Sequence, residues 1–584
     1  MAETLRSVSW RSAGARGAPW WTVPAGAFGL PLLAALWWGL AQAADASAWS
    51  ALLIDSQFLP ALRLSWWTGS AATLLALALT LITVTQLHGT RHWQTLQGAL
   101  GPVLAVPHAA FAVGLALLWM PSGWLSRLAA PLWGWSSPPD VATVQDPWGI
   151  SLIVGLALKE LPFLLLNVVA QFQKVGQGAE LERHLQVAAT LGYSARSTWL
   201  RVLWPQLLPR LALPLLAVWA YSFTVVDMAL VLGPTRPPTL AVLAWQWLQD
   251  SSDSVNRQGA AAALLLTLAM AAMALMCVAT AYALRGALTR RWTAGDRPGA
   301  SLSSAASAAS ASAASASAAS AASAASAAFA ALLASLYPAV LAVLLFTSLV
   351  GVWRYPSLWP SVWTDAAWQG VAHSLPSLKL TALLALLSAS SGLLLATAWM
   401  ELTPPHFDRY ATLLAAVPLL VPGVLLVSGL YQLALWWRVD GTLWGLWLGH
   451  IVYTAPYAWI ALAGAYRGFD VRLQTAHALG RSHVAFLWHV KWPMLRAPLA
   501  SAFAVGFAVS VTQYLSTQFI AAGRLSTVTT EALTLASGGQ RNVAAAFALL
   551  QALLPACVFA LAWMVGKQAA AHGLPVRRFQ PVAA

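Results

Sequence analysis

Long apolar stretches recur along the whole chain and are separated by short polar connections. About twelve of them reach the roughly 20 residues that an α-helix needs to cross the hydrocarbon core of a bilayer. By position, they lie near 24–44, 65–87, 101–120, 149–170, 208–233 and 260–284 in the first half, and near 330–352, 376–399, 411–436, 443–466, 498–522 and 544–566 in the second. The pattern predicts an all-α polytopic membrane protein.

The order of sequence motifs repeats between the two halves of the chain. The polar stretch 185–209 (LQVAATLGYSARSTWLRVLWPQLLP) returns without a gap from residue 473 (LQTAHALGRSHVAFLWHVKWPMLRAPL). Upstream, VPHAAFAVGL in the first half echoes VPGVLLVSGL in the second, so that Gly114 matches Gly429. Because each half has an even number of predicted spans, we expect two parallel six-helix repeats related by an axis along the membrane normal.

These repeats divide the chain into two lobes and a linker. The first lobe covers 1–285 and contains the polar loop 180–206, and the second covers 329–584 and contains the polar loop 467–497. The linker, 286–328, begins with Arg residues and continues as almost pure Ser and Ala. Since the Ser/Ala run, 301–328, is of low complexity and without core-forming residues, it predicts a cytoplasmic tether, which its alanines can make intermittently helical.

Composition and charge support a bilayer protein and fix its expected orientation. Of 584 residues, 59% are hydrophobic and 9% are charged, whereas a soluble domain carries about a quarter charged residues. The net charge of +14 does not indicate nucleic-acid binding, because Lys and Arg are spread over short loops. With the N-terminus in the cytoplasm, the cytoplasmic connections carry about three times as many Lys and Arg residues as the opposite side. This predicts cytoplasmic termini and cytoplasmic polar loops.

Each polar loop has the pattern of a short helix, a sharp turn and a second helix that enters the membrane. In the first copy, helical spacing over 180–191 ends at Gly192, and glycine permits the left-handed turn that closes a helix. A second amphipathic segment, 195–204, runs to Pro205, which tolerates a helix start. Two ungapped copies at equivalent topological positions argue against a plain amphipathic connector.

The two polar loops resemble the cytoplasmic signature of binding-protein-dependent ABC importer permeases. That signature is Glu-Ala-Ala, three residues, Gly, nine residues, Ile-x-Leu-Pro. Both copies depart from it in the same places, with Gln for the Glu and Trp for the Leu. The candidate ATPase-docking residues are Gln186, Ala188, Leu191, Gly192, Val202 and Pro205 in the first loop, and Gln474, Ala476, Leu479, Gly480, Val490 and Pro493 in the second.

The resemblance implies a fused two-lobe permease of a bacterial inner membrane, similar to those for iron(III), thiamine or phosphonates. A coupling helix in each polar loop would insert into a groove on a separate ABC ATPase, expected as a homodimer, and a periplasmic binding protein would deliver the solute. ATP would bind to the ATPase, so we expect no cofactor in this chain. Because Gln replaces Glu in both loops, a charged contact with the ATPase becomes a weaker neutral hydrogen bond.

Three ionisable residues lie inside predicted spans: Lys159 and Glu160 in the fourth and Asp227 in the fifth. Such residues usually face a bundle interior or a water-filled path, so they form either a structural ion pair or a pathway-lining site. Adjacent residues point different ways on a helix, so Lys159 and Glu160 should have separate partners, and we predict a Lys159–Asp227 pair. The other candidates for the pathway or gate are the repeat-matched Pro162 and Pro456, which can kink their spans, and Ser222 and Ser510, which can equally be packing residues.

The sequence contains none of the motifs that would indicate an enzyme. It has no Gly-x4-Gly-Lys-Ser/Thr phosphate loop, no HExxH, no GxSxG and no CxxC, and its eleven His residues are scattered. We therefore expect no catalytic residues and no metal site. Two functions remain: the membrane subunit of an ATP-driven importer, favoured by the polar loops, and a secondary transporter or channel that uses Lys159, Glu160 and Asp227 as an ion relay. The sequence does not choose a substrate.

Overall fold

The computed structural model describes residues 22–174, 177–191, 193, 195–293, 308–469 and 483–571. In these ranges the chain is almost entirely helical, and the single β contact is an isolated antiparallel bridge between Val350 and Trp363. Nine of the described helices are long and apolar enough to cross a membrane, or up to eleven if each of two bent helix pairs is one span. The prediction of an all-α polytopic membrane protein is confirmed, whereas the predicted number of twelve spans is not.

The first half contains fourteen α-helices within the described ranges. In chain order they are α1 (Thr22–Gln42), α2 (Ala46–Ile54), α3 (Phe58–Leu87), α4 (Arg91–Ala105), α5 (His108–Trp119), α6 (Trp124–Trp133), α7 (Ile150–Gln173), α8 (Gln177–Thr190), α9 (Ala195–Thr198), α10 (Trp204–Leu207), α11 (Ala212–Thr224), α12 (Asp227–Leu232), α13 (Leu240–Trp247) and α14 (Asp253–Thr293). A π-helical turn, Trp199–Leu203, joins α9 to α10, and a 3-10 turn, Leu208–Leu211, leads into α11.

The second half contains twelve more α-helices in its described part. They are α15 (Ala308–Ser348), α16 (Ala366–His373), α17 (Leu375–Leu402), α18 (Asp408–Leu420), α19 (Gly423–Trp436), α20 (Leu443–Arg467), α21 (His483–Phe486), α22 (Trp492–Met494), α23 (Arg496–Thr512), α24 (Leu515–Ala521), α25 (Val528–Ser537) and α26 (Arg541–Ala571). A π-helical turn, Leu487–Lys491, again joins two of the short helices. A 3-10 turn, Pro405–Phe407, precedes α18.

Four of the predicted spans are interrupted, at positions that the repeat makes equivalent. In the first half, Val106-Pro107 separates α4 from α5, and Val225-Val226 separates α11 from α12. In the second half, Val421-Pro422 separates α18 from α19, and Gln513-Tyr514 separates α23 from α24. Proline cannot donate a helical hydrogen bond, which accounts for the break at Pro107 in the first half and the break at Pro422 in the second. Each half thus has two helix breaks inside its predicted spans.

The first helix of each half packs against the other half. Helix α1 lies along α19, and a Cβ added at Gly429 would be only 1.7 Å from the carbonyl oxygen of Ala35. Helix α15 lies along α5, and a Cβ added at Gly114 would be 2.6 Å from Cγ1 of Val340. Gly114 and Gly429 are the glycines that the repeat matched. Their missing side chains allow the exchanged helices to approach closely.

The Ser/Ala-rich linker is helical over much of its length in the described part of the chain. Helix α15 begins at Ala308 and continues without interruption for 41 residues to Ser348. Alanine has the highest intrinsic helix propensity, and the run is continuous with an apolar span that is helical for its own reasons. The helix therefore starts well before the apolar segment predicted from 330.

The largest apolar core crosses the boundary between the two halves. Phe111 of α5, Phe223 of α11, Tyr337 of α15 and Phe547 of α26 are all buried in it. Two smaller clusters lie at the bases of the two polar loops, where the spans that flank each loop end. The described parts of both loops are therefore packed onto the ends of membrane helices.

Candidate transport pathway and coupling loops

A cavity of about 370 Å³ lies at the helix breaks of the two halves. All four interrupted segments contribute to its wall, together with side chains from α5, α11, α14, α20 and α23. The lining residues at the breaks themselves are Val106, Pro107, Val225, Val226, Val421, Gln513 and Tyr514. Because both halves form the wall, a relative movement of the halves would change the size and opening of this cavity.

The polar side chains of the cavity are one carboxylate, one imidazole and four phenols, together with those of Thr224, Thr512 and Gln513. Asp227, the first residue of α12, accepts a hydrogen bond from the amide of Met228 at 2.9 Å. The Tyr221 hydroxyl donates to the same carboxylate oxygen at 3.4 Å. The imidazole of His108 packs on the Tyr221 ring, with 4.7 Å between ring centroids. Asp227 is the only acidic side chain among the described residues that line the cavity.

Lys159 and Glu160 lie in α7, directly behind this wall. The Lys159 ammonium is buried and donates to the carbonyl oxygen of Val106 at 2.7 Å. The Glu160 carboxylate lies 3.4 Å from Nε2 of His108. The prediction of separate partners is confirmed, but the predicted Lys159–Asp227 pair is wrong. Lys159 donates to a backbone carbonyl at the Val106-Pro107 break and not to Asp227. At such a break the carbonyl oxygen loses its partner within the helix, so a membrane protein must supply another hydrogen-bond donor.

The remaining gate candidates lie inside the helix bundle and do not line the cavity. Pro162 is in the interior of α7 and Pro456 in the interior of α20, and both helices continue through the proline. Ser222 of α11 and Ser510 of α23 are 2% and 3% exposed, respectively. Of the seven pathway candidates, the structure places Asp227 on the cavity wall, and places Lys159 and Glu160 in contact with residues that line it.

A buried histidine in the second half was not identified from the sequence. The ring of His450, in α20, lies with Nδ1 2.8 Å from Oγ of Ser510 and Nε2 3.1 Å from Oγ1 of Thr517. Ser510 precedes the break between α23 and α24, and Thr517 follows it. His450 thus ties α20 to both sides of that break. A His in an apolar span is a detectable signal, but its partners are distant in the sequence.

The first polar loop folds as a helix, a turn and a π-helical segment. Leu181 of α8 is buried in the same apolar cluster as Trp199 and Trp204. Ala188 is also buried, whereas Gln186 and Leu191 are exposed on α8 and just after it. In the same loop, Val202 lies in the π-helical turn and Pro205 in the first turn of α10, and both are half-buried. The predicted docking residue Gly192 lies outside the described residues.

The first polar loop exposes two apolar side chains near the end of α8, among polar ones such as Glu182 and Arg183. Val187 is 55% exposed and Leu191 is 58% exposed, and the two are four residues apart, on the same side of the helix. Gln186 lies next to them and is also exposed. The loop therefore exposes apolar side chains that do not pack on the spans. Such a patch is typical of a protein contact.

The base of this loop is an aromatic cluster around His88, the residue that follows α3. Its ring centroid lies 5.0 Å from that of Phe172 and 5.1 Å from that of Trp199. Nε2 of His88 is 3.5 Å from the carboxylate of Glu182 in α8. Burial lowers the pKa of His88 below its ordinary value, and the Glu182 carboxylate opposes this shift. Nearby, Trp204 Nε1 donates to Thr85 Oγ1 at 3.1 Å.

The second polar loop repeats this design with a different chemistry at its base. Its π-helical turn occupies the repeat-equivalent position, and Trp492 Nε1 donates to the Tyr466 hydroxyl at 3.0 Å. Lys491 forms a buried ion pair with Glu401 at the end of α17, and its Nζ lies 4.1 Å from the centroid of the Tyr466 ring. Val490 is half-buried and Pro493 is exposed. The docking residues predicted before His483, which lie outside the described residues, are Gln474, Ala476, Leu479 and Gly480.

Comparison with known proteins agrees with this architecture. No protein-family model matches the chain. The chain is 32% identical over 538 residues to the inner membrane ABC transporter permease protein YnjC of Escherichia coli (strain K12), and the alignment covers 92% of this chain and 94% of that protein. An alignment of this length includes both halves and both polar loops. The chain therefore belongs to the family of inner membrane ABC transporter permeases.

Proposed function

We propose that this chain is the transmembrane subunit of an importer that moves a small solute across the inner (cytoplasmic) membrane by alternating access. A separate ABC ATPase, bound as a homodimer to the two polar loops, drives the cycle, and a periplasmic binding protein supplies the solute. The observation that carries this proposal is the cavity at the four helix breaks, because both halves form its wall. Both termini and both polar loops are assigned to the cytoplasmic side.

The packing of the polar loops supports their role as coupling elements. Leu181 of α8 shares an apolar cluster with Leu165 and Val168 of α7, the helix that carries Lys159. A displacement of α8 would therefore be transmitted along α7 to the contact between Lys159 and Val106 at the cavity wall. In the second half, Lys491 and Trp492 link the loop to the ends of α17 and α20 in the same way.

The exposed apolar surface of α8 supports an ATPase contact at this loop. Val187 and Leu191 are more than half exposed, and covering them would remove apolar area from water at about 25 cal/mol per Å². Gln186 adjoins them and can donate or accept a neutral hydrogen bond. The contact is then dominated by shape and apolar burial, since the acidic residue of the family signature is absent.

The test is assembly and transport with the partner ATPase in proteoliposomes. We expect Gly192→Pro and Gly480→Pro each to reduce ATPase retention and ATP-dependent uptake, because proline forbids the turn that positions a coupling helix. A double Val187→Ser, Leu191→Ser variant should weaken retention at least 10-fold. Its control is Val141→Ser, at a residue that is 60% exposed in the connection between α6 and α7, before the end of α7 that is remote from α8. Uptake driven by an ion gradient without ATP, or normal retention in both proline variants, would contradict the proposal.

A further inference from the structure

The carboxylate of Asp227 has no cationic side chain as a partner among the described residues. Its neighbours are the Tyr221 hydroxyl and the amide of Met228. The buried cation behind the cavity wall, Lys159, is held on the Val106 carbonyl oxygen and is adjacent in α7 to the oppositely charged Glu160. Lys159 and Glu160 therefore offset each other in formal charge, and with a neutral His108 ring Asp227 gives the cavity a net negative charge.

An uncompensated carboxylate at a helix break within the bundle is costly, and such residues persist where they bind something. Removal of a carboxylate from water is offset when a positive charge and hydrogen bonds meet it in the same place. The two hydrogen bonds to Asp227 come from neutral groups, and one of them is long at 3.4 Å. A positively charged solute in the cavity would supply the missing counter-charge.

The other side chains of the cavity favour an organic cation over a metal ion. Four tyrosines from both halves line it: Tyr221, Tyr453, Tyr457 and Tyr514. Aromatic faces attract organic cations, and quaternary ammonium groups are recognised in this way. A volume of about 370 Å³ suits a small organic molecule. The described residues contain no group of three or more His, Cys, Asp or Glu that could hold a metal ion.

We propose that the transported solute is a small organic cation, with its positive charge on Asp227 and its apolar body among the four tyrosines. This deepens the proposed function and rests on it, since the cavity is the transport pathway only if the chain is a permease. The two halves contribute unequally to this site, because only the first half supplies a carboxylate. Leu515, the repeat-equivalent of Asp227, lines the cavity on the other half, so the charged end of the solute is held by the first half.

The test measures binding to the full-length chain in lipid nanodiscs by isothermal titration calorimetry. The probes are benzyltrimethylammonium as the cation, benzyl alcohol as the neutral compound and benzoate as the anion. We expect the cation to bind the wild-type chain at least about 10-fold more tightly than either of the others, because only the cation is attracted by both the Asp227 carboxylate and the faces of the tyrosine rings. Asp227→Asn should weaken the cation about 10- to 100-fold and leave benzyl alcohol unchanged.

A charge relocation separates recognition from a purely structural role. The double variant Asp227→Leu, Leu515→Asp moves the carboxylate to the equivalent position of the second half and keeps the net charge of the cavity. We expect it to recover at least part of the cation binding that Asp227→Leu alone loses. Retained ATPase assembly in each variant reports that the chain is folded and that the permease role stands independently of the solute class.

Several outcomes would overturn the assignment. These are equal binding of the cation by wild type and Asp227→Asn, tighter binding of benzoate than of the cation, and no binding of benzyltrimethylammonium to the wild-type chain. Displacement of the bound cation by equimolar K⁺ or Mg²⁺ would show that the site takes an inorganic ion instead. If assembly with the ATPase is normal in any of these cases, the solute class is wrong and the importer proposal is untouched.

Discussion

The exchange of first helices between the halves makes a sharp prediction at Gly429. A Cβ at this position would lie 1.7 Å from the carbonyl oxygen of Ala35, and ordinary van der Waals contact begins at 3.4 Å. The obstructing atom belongs to the backbone of α1, so no side-chain rotation can relieve the contact. Gly429→Ala must therefore move α1 away from α19 by more than about 1.5 Å, which loses dispersion contacts along the whole interface.

The expected loss in free energy of unfolding follows from overpacking of a close helix contact, which costs about 1–3 kcal/mol. We place Gly429→Ala at the upper end, because both helices are held elsewhere. Gly114→Ala should cost less, since its nearest atom is the movable Cγ1 of Val340 at 2.6 Å, with the backbone oxygen at 3.0 Å. Gly98→Ala, in α4, is the control. No atom lies within 4 Å of its added Cβ, and alanine favours a helix over glycine by up to about 1 kcal/mol.

The assay is thermal unfolding of the full chain in detergent, followed by tryptophan fluorescence, for the wild type and the three variants. We expect the unfolding temperature to rise from Gly429→Ala to Gly114→Ala and from there to the wild type. The unfolding temperature of Gly98→Ala should equal that of the wild type or exceed it. If Gly429→Ala unfolds at the same temperature as Gly98→Ala, α1 does not lie against α19 and the exchange is refuted. If Gly114→Ala is the more damaging variant, the reasoning from backbone against side-chain obstruction is wrong.

Two further predictions concern the bases of the polar loops. Lys491→Met should destabilise the chain by about 3 kcal/mol, because it removes the positive charge that compensates the Glu401 carboxylate, whereas the double variant Lys491→Met, Glu401→Leu should be close to wild type in thermal unfolding. A double variant no more stable than either single variant would contradict this. Because burial lowers the pKa of His88, the unfolded chain binds the proton more readily than the folded chain. The free energy of unfolding therefore decreases as pH falls below about 6.5 and through the lowered pKa of the folded chain. His88→Phe should reduce the difference between unfolding temperatures measured at about pH 8 and about pH 5.5, and an unchanged difference would assign the pH dependence to other groups.

Much of the fold could be predicted from the sequence because hydropathy and spacing are local properties. Apolar stretches of about 20 residues must be helical in a bilayer, where every backbone polar group needs an internal partner. The matched prolines 107 and 422 also mark two of the four helix breaks. The match between Gly114 and Gly429 was visible as well, although their role in the exchanged helix contacts was not.

The chemistry inside the bundle could not be predicted in the same way. Lys159 was expected to pair with Asp227, because the two carry opposite charges and the sequence does not give the distance between them. The structure instead brings the Val106 carbonyl oxygen to 2.7 Å from the Lys159 ammonium. His450 and its contacts with Ser510 and Thr517 depend equally on the packing of α20 against the broken span.

The sequence by itself determined the class of protein, the repeat and the two polar loops, since these follow from periodicity and from the residue types that a bilayer permits. Only the tertiary structure decided which residues meet at the cavity, which helix of one half packs on the other, and that the base of the second loop holds the Lys491–Glu401 ion pair. The physical reason is that each of these features joins residues far apart in the chain. Their proximity depends on how helices pack, and no local pattern encodes the partner of a given side chain.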